Sequence, residues 1–280
     1  MSEQLKRGAL YVVPTPIGNL ADITERAKAV LAGVDFIAAE DTRVSGKLTA
    51  LYGIKAHFVS YHEHNRQTAG KAIAERLLSG ETGALVTDAG TPAVSDPGEN
   101  LVRLCREKGI TVVPLPGPCA FVTALAGSGF PSRRFAFEGF LPPDKAERQT
   151  IVEGYKHDKK TVIFHEAPHR LEKTVGELLD ALGDRRVCVA RELTKVNEEF
   201  EVTTLAAFLE SLAGKPPRGE YVLIVEGAPE EVPGEAFFEG MSMEEHVAFY
   251  EKQGLCRMDA IKACARDRGL PKNAVYKALL

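Results

Sequence analysis

The sequence predicts an α/β protein built as two consecutive α/β domains with a small C-terminal helical module. Three observations carry this. Short apolar runs of strand length alternate with amphipathic runs of helix length from residue 9 onward, the pattern of a mostly parallel sheet with both faces covered. A glycine-proline stretch, Gly127-Ser-Gly-Phe-Pro-Ser132, interrupts that alternation before a second αβ series begins. From Gly227 to Glu245 the chain carries six glutamates, two prolines and no Lys or Arg, and residues 252–280 then reverse sign with seven basic side chains against two acidic. The expected domains are therefore 1–128, 129–227, an acidic linker over 228–245 and a basic helical module over 246–280.

The first strand, Ala9 to Val13, runs into Pro14-Thr-Pro-Ile-Gly-Asn19, a stiff loop that is neither a dinucleotide fingerprint nor a phosphate-binding loop. Asp22-Ile-Thr-Glu25 has the spacing of a capping box for a helix ending near Gly33. The strand Asp35 to Ala39 ends on Glu40-Asp-Thr-Arg43, which is either a site or a solvated turn. A helix to about Tyr52, a strand near His57 to Ser60 and a helix from Gln67 to Leu78 follow. Between the last two lies His62-Glu-His64-Asn-Arg66, a metal pair without an obvious third ligand or else a polar loop.

The segment Thr87 to Gly98 is the focus of the chain. It follows the apolar Ala84 to Val86 and precedes the amphipathic Leu101 to Cys105, so it reads as the loop at the carboxyl end of a buried strand. In open α/β sheets small ligands bind there, although many such loops bind nothing. Asp96 is placed to cap the next helix, with Pro97 at its first position and Glu99 completing a capping box. Gly109 stops that helix, Ile110 to Pro114 forms the next strand, and Leu115-Pro-Gly-Pro118 opens an apolar helix from Cys119 to Ala126.

In the second series the strands are Phe135 to Gly139, Thr161 to His165, Val187 to Ala190, Phe200 to Thr203 and Tyr221 to Val225. The helices fall near Asp144 to Tyr155, His169 to Leu182 and Leu205 to Leu212. Glu166-Ala-Pro-His-Arg170 and Arg191-Glu-Leu-Thr-Lys195 lie between strands, and residue by residue they read as caps and solvated loops. In the tail, Met258 to Arg268 and Pro271 to Leu280 make two helices joined at Gly269. They resemble a helix-turn-helix unit suited to an anionic partner, or a helical tail packed on the body.

The 280 residues are 44% apolar with a formal charge of −4, enough for packed cores and against a uniformly basic coat, though a local basic patch is compatible with this. Five cysteines, with no CxxC pair, suit a reduced, cytoplasmic setting. Met1 to Gly8 lacks the apolar core of a signal peptide, and no run reaches a membrane-spanning length, so a soluble protein with no membrane partner is expected.

Pro14-Thr-Pro-Ile-Gly-Asn-Leu20, Ala38-Ala-Glu-Asp-Thr-Arg43, Thr87 to Gly98, Pro114 to Pro118, Glu166 to Arg170 and Arg191 to Lys195 occur in one order and at one spacing. Taken together they resemble the ribosomal RNA small subunit methyltransferase I family, ribose 2′-O-methyltransferases of the tetrapyrrole-methylase superfamily, over about residues 9–227. The resemblance implies S-adenosylmethionine held in a cleft between two α/β domains, a homodimer, and methylation of a cytidine ribose in the decoding region of 16S ribosomal RNA in the small subunit; methyl transfer from a sulfonium needs no metal. It places the cofactor against Ile17, Gly18, Asp88, Gly90, Thr91, Pro92, Val94, Cys119, Ala120, Phe164 and His165. This chain has Pro14-Thr-Pro16 where the superfamily has a glycine-rich loop, and Thr91 where Asp is usual. Ribose methylation calls for positioning and for a base to take the hydroxyl proton. Glu40 or Asp41 suits that role and Arg43 suits an RNA phosphate, with His62, His64 and Lys195 as competitors and a capping or ion-pair role equally open to the acidic pair. A tetrapyrrole methyltransferase, or a non-catalytic ribosome-binding protein on the same fold, remains the alternative.

Overall fold

The computed structural model describes residues 5–229 and 237–279, which form two compact units, one up to Ala228 and one from Pro229. The first unit contains two five-stranded sheets. Strands β1 (Ala9–Val12), β2 (Phe36–Ala39), β3 (Phe58–Ser60), β4 (Gly83–Val86) and β5 (Thr111–Pro114) pair in the order β3-β2-β4-β1-β5, all parallel. Side chains alternate across this sheet because successive Cβ atoms point to opposite faces. Tyr11, Ile37 and Ala84 face α1 (Glu25–Gly33) through Ala27, Val30 and Leu31. Leu10, Val12, Phe36 and Leu85 face α3 (Arg66–Leu78) and α4 (Gly98–Glu107), while α2 (Thr42–Leu51) follows β2. The central strands are therefore apolar on both faces, as parallel strands under helices must be.

Two caps differ from expectation. Thr24, not Asp22, caps α1, its hydroxyl accepting from the Ala27 N–H at 3.0 Å, and Asp22 closes a short 3₁₀ turn instead. Asp96 does receive the Gly98 N–H at 2.7 Å, but Pro97 precedes the helix and Glu99 reaches Arg103 rather than closing a box.

The second sheet runs β6-β7-β10-β8-β9, from β6 (Phe135–Phe140), β7 (Thr161–Glu166), β8 (Arg186–Arg191), β9 (Glu199–Thr204) and β10 (Tyr221–Val225). Only β6 and β7 are parallel; β10 lies antiparallel between β7 and β8, and β9 pairs antiparallel with β8. One face packs on α7 (Pro168–Leu182) and α8 (Leu205–Ser211), with α6 (Lys145–Glu153) beyond. The other face, with Ile163, Cys188, Ala190, Val222 and Ile224, is covered by α5 (Ala120–Ser128) through Ala124 and Leu125. So α5 leaves the first sheet and packs on the second.

The second unit holds α9 (Met243–Lys252), α10 (Arg257–Asp267) and α11 (Lys272–Ala278) around its own core of Val247, Ala260, Ile261, Cys264, Ala265 and Val275. The expected acidic linker overlaps this unit: Ser242 and Glu245 form a capping box that starts α9. Residues 230–236 of that linker and Leu280 lie outside the described residues. No described helix is long and apolar enough to cross a membrane.

Candidate active site

The topology gathers the carboxyl ends of β2, β4, β7 and β8 around one cavity of about 590 Å³. Because β10 is antiparallel to its neighbours, its N-terminal end, Glu220 to Val222, joins the same rim. Of the residues expected to hold a cofactor, Ile17, Gly90, Thr91, Val94, Cys119, Ala120 and His165 line this cavity, as does Glu40. Gly18, Asp88, Pro92 and Phe164 are not among its walls. Phe164 is buried in the core under α7, on the far face of β7 from His165. Gly18 packs so closely on the Leu193–Lys195 segment that a Cβ would come within 2.6 Å of the Lys195 side chain. Asp88 accepts the Asp41 N–H at 3.3 Å.

Two strained loops border the cavity. Among the described non-glycine residues, only Ala93, Ser95, Glu192 and Thr194 have positive φ, at 65°, 64°, 50° and 63°. Such backbones persist only where surrounding bonds over-determine them, and they concentrate at functional sites. In the first loop both Asp96 oxygens accept the Ala93 N–H at 3.0 Å while one also takes the Gly98 N–H. In the second, Thr194 donates its N–H to Glu198 at 2.5 Å and its hydroxyl oxygen accepts the Asn19 N–H at 2.9 Å. The Glu192 carboxylate receives the Lys195 ammonium at 2.9 Å and the Glu220 N–H at 3.0 Å.

Gly90 has a φ of 87°, a left-handed conformation that favours glycine, and it lines the cavity. Its N–H and carbonyl exchange hydrogen bonds with Thr15 at 3.0 and 2.9 Å, which ties the Pro14–Asn19 loop to the Thr87–Gly98 loop. The Thr91 hydroxyl donates to the Pro118 carbonyl at 2.8 Å, fixing the Pro114–Pro118 loop to the Thr87–Gly98 loop.

The candidate bases separate by environment. The Asp41 carboxylate accepts the Arg43 N–H at 2.8 Å, capping α2, and pairs with the guanidinium at 2.7 Å. These bonds from Arg43 hold it well below the usual carboxylate range. Arg43 itself is 86% exposed. Lys195 bridges Glu192 and Glu220, each at 2.9 Å; burial disfavours its charge, but the two carboxylates outweigh that and hold it as a cation. His62 and His64 meet edge to face, and among the described residues no cluster of three or more His, Cys, Asp or Glu could hold a metal ion. Glu40 alone of the two acids reaches the cavity. Desolvation, then the neighbouring charges of Asp88 and Asp96, push its carboxyl up.

The walls were less visible in the sequence. Phe121 stacks on Phe137 at 4.2 Å between ring centres, and Phe137 and Phe140 both meet His165 edge to face, at 5.0 and 5.5 Å. Burial pushes the His165 pKa down, favouring the neutral imidazole, and its Nε2 is buried with no hydrogen-bond partner. Beneath it, the fully buried Glu166 carboxylate accepts from the Ala167 N–H at 2.8 Å and the Thr174 hydroxyl at 2.5 Å, which secures the end of β7.

An apolar, aromatic-walled cavity of this size with one orphaned polar atom is the chemistry of a small-molecule site. The sequence pattern of the tetrapyrrole (corrin/porphyrin) methylases matches residues 9–209. A protein of Halalkalibacterium halodurans named ribosomal RNA small subunit methyltransferase I is 48% identical, the alignment covering 96% of this chain and 94% of that one. Its namesake from Escherichia coli O157:H7 is 43% identical over 98% of this chain and 95% of that one. The chain belongs to the ribosomal RNA small subunit methyltransferase I family of tetrapyrrole methylases. The fold of this methylase is shared with uroporphyrin-III-C-methyltransferase from Thermus thermophilus, at TM-score 0.56 and 19% identity over 78% of this chain and 94% of that one. A second structure of the Thermus enzyme, at TM-score 0.54 and 17% identity over 77% and 96%, is complexed with S-adenyl homocysteine.

Proposed function

We propose that the protein methylates ribosomal RNA of the small subunit, taking the methyl group from S-adenosylmethionine and placing it on the ribose 2′-hydroxyl of a cytidine in the decoding region. The observation that carries the reading is the cavity itself: seven of the residues that the family resemblance assigns to the cofactor line it, together with one carboxyl group suited to take a proton.

The residues present fit the cofactor. Ile17, Val94, Phe121, Phe137 and Leu193 offer apolar and aromatic walls for its adenosine part, and the His165 ring nitrogen is a polar atom still lacking a partner. When bound, S-adenosylmethionine supplies an electrophilic methyl group on a sulfonium. The chain's part is to orient and to exclude water. The two strained loops fix the rim, so a nucleotide ribose entering from the mouth meets a preset geometry; such positioning is worth on the order of 7–11 kcal/mol in favourable cases. Glu40 holds the place of general base at that mouth: its raised carboxyl accepts a proton more readily than an ordinary carboxylate. Arg43, exposed beside it, suits an RNA phosphate. A homodimer belongs to the same reading. The edge strand β9 presents Phe200 and Val202, 37% and 52% exposed, a surface that a second copy would cover.

The test is tritiated methyl transfer from S-adenosylmethionine to isolated small subunits, free ribosomal RNA and a precorrin, with the labelled nucleoside identified after digestion. Label recovered as 2′-O-methylcytidine is expected. Label on the precorrin alone, or on a nucleobase, overturns the reading.

A further inference from the structure

Resting on that reading, we propose that the outward face of α11, formed by Asn273, Tyr276 and Lys277 and flanked by Lys272, docks the protein on the RNA of the small subunit. The charge of the tail as a whole does not make this case. Residues 237–279 carry seven basic and six acidic side chains, so the excess over 252–280 is largely offset by the glutamates of α9 and the residues before it. Most of the cations are also engaged. Arg257 pairs with Glu251, Lys262 with Asp259 and Arg266 with Asp267. Arg268 donates to the Met241 and Ser242 carbonyls and to His246 Nδ1.

Of the three cations left, Lys252 closes α9 in its last turn, and the other two lie on α11. From Arg268 to Leu279 there is no acidic residue. Among the described residues Lys272 and Lys277 enter no ion pair; Lys272 feels Asp259 only as a more distant charge. At about 100° per residue, Tyr276, Asn273 and Lys277 fall within about 100° of arc, and Val275 points the opposite way into the core. Tyr276 is 48% exposed. Helix stability does not account for Lys272 either. It occupies the first turn, where the macrodipole disfavours a cation, after Pro271, which supplies no side-chain cap.

The turn before α11 sets the direction of this face. Gly269 at φ 62° turns the chain between α10 and α11, and the Leu270 N–H closes on the Ala265 carbonyl at 2.8 Å. Two free ammonium groups, an amide and an exposed phenol ring on one helix face match an RNA strand. The lysines meet phosphates, the ring stacks on an unpaired base and the amide reaches a base edge.

The experiment uses the full chain and three variants: Lys272→Gln with Lys277→Gln, the same positions as Arg, and Tyr276→Ala. Binding to isolated small subunits and to protein-free ribosomal RNA is measured across a salt series, alongside melting temperature and S-adenosylmethionine affinity. The double Gln variant should bind both targets more weakly, with a salt slope shallower by roughly 1.4–1.8, two contacts' worth, and the Arg variant should restore it. Tyr276→Ala should lose roughly 5- to 150-fold with the slope unchanged. Melting and cofactor affinity should not move. Wild-type affinity and slope in the Gln variant overturn the docking face while leaving the methyltransferase reading intact. A loss seen with subunits but not with free RNA overturns it in favour of a ribosomal protein. Failure of the unaltered chain to bind or methylate subunits overturns the parent reading as well.

Discussion

Glu40 is the residue whose environment makes the sharpest chemical claim. It is exposed at the edge of the cavity, and partial desolvation, then the charges of Asp88 and Asp96, raise its carboxyl, so its proton leaves at a pH above the ordinary carboxylate value of 4.5. A general base works only when ionised, so the rate should fall as pH falls through that raised value, and the acid limb of the pH profile should lie above 4.5. Glu40→Gln should cost about 10²–10⁴ in methyl transfer and remove that limb, while S-adenosylmethionine affinity measured by calorimetry stays within about twofold. An unchanged acid limb in the Gln protein would move the base elsewhere. Glu40 and Gly90 were marked in the sequence because each falls in a loop at the carboxyl end of a strand, next to residues with distinctive chemistry, while His165 was marked only by the family resemblance. Phe121, Phe137, Leu193 and Glu220 were not. Their types are those of ordinary core and surface positions, and only the packing of α5 on the second sheet and the reversal of β10 bring them to the rim.

At the scale of elements, the loop before α4 depends on one side chain. Asp96 bonds the N–H groups of Ala93 and Gly98, and between those anchors Ala93 and Ser95 adopt left-handed backbones. Ser95 also borders the bulge of β6, where a Cβ on Gly139 would come within 2.7 Å of its hydroxyl. Asp96→Ala removes its hydrogen bonds to the Ala93 and Gly98 N–H groups, at about 1.5–3 kcal/mol for bonds to a charged group, and lets the strained residues relax away from the cavity. Thermal melting should show the loss of stability. Calorimetry should show a larger proportional loss of S-adenosylmethionine affinity than Glu40→Gln produces, and equal affinities would refute a positioning role for the loop. The elements of the first sheet could be read from the sequence because parallel strands under helices leave a simple apolar pattern. The same pattern does not encode strand direction, so the antiparallel β8, β9 and β10 looked like another parallel series. The start of α9 was hidden because its capping glutamates read as part of an acidic linker.

At the scale of the whole molecule, the two units differ in size and in what acid does to them. The C-terminal unit has a small core, and the buried His246 lies beside it, stacked on Phe238 at 4.5 Å between ring centres and against Tyr250. Its Nδ1 accepts the Arg268 Nε–H at 3.1 Å, and its Nε2 lies 3.4 Å from Asp267, which Tyr250 also bonds. Burial, then the Arg268 charge, push its pKa down from 6.5, and Asp267 only partly opposes this. A proton on Nδ1 would face the Arg268 N–H. The unfolded chain therefore binds a proton at a higher pH than the folded unit does. The contribution of neutral His246 is complete above pH 6.5 and is lost as pH falls from there towards the depressed folded value. The slope is at most about 1.4 kcal/mol per pH unit for one histidine. His165 tilts the larger unit in the same direction. A given loss moves the midpoint of a small domain about twice as far as that of a 150–250-residue one, roughly 4–8 °C against 2–4 °C per kcal/mol. Calorimetric scans from pH 7.5 to 5.5 should therefore show a minor transition, from the C-terminal unit, moving down by several degrees more than the main one. In His246→Gln the minor transition should start lower and lose most of its pH dependence. A minor transition that keeps its full pH dependence in that variant would remove His246 as the cause.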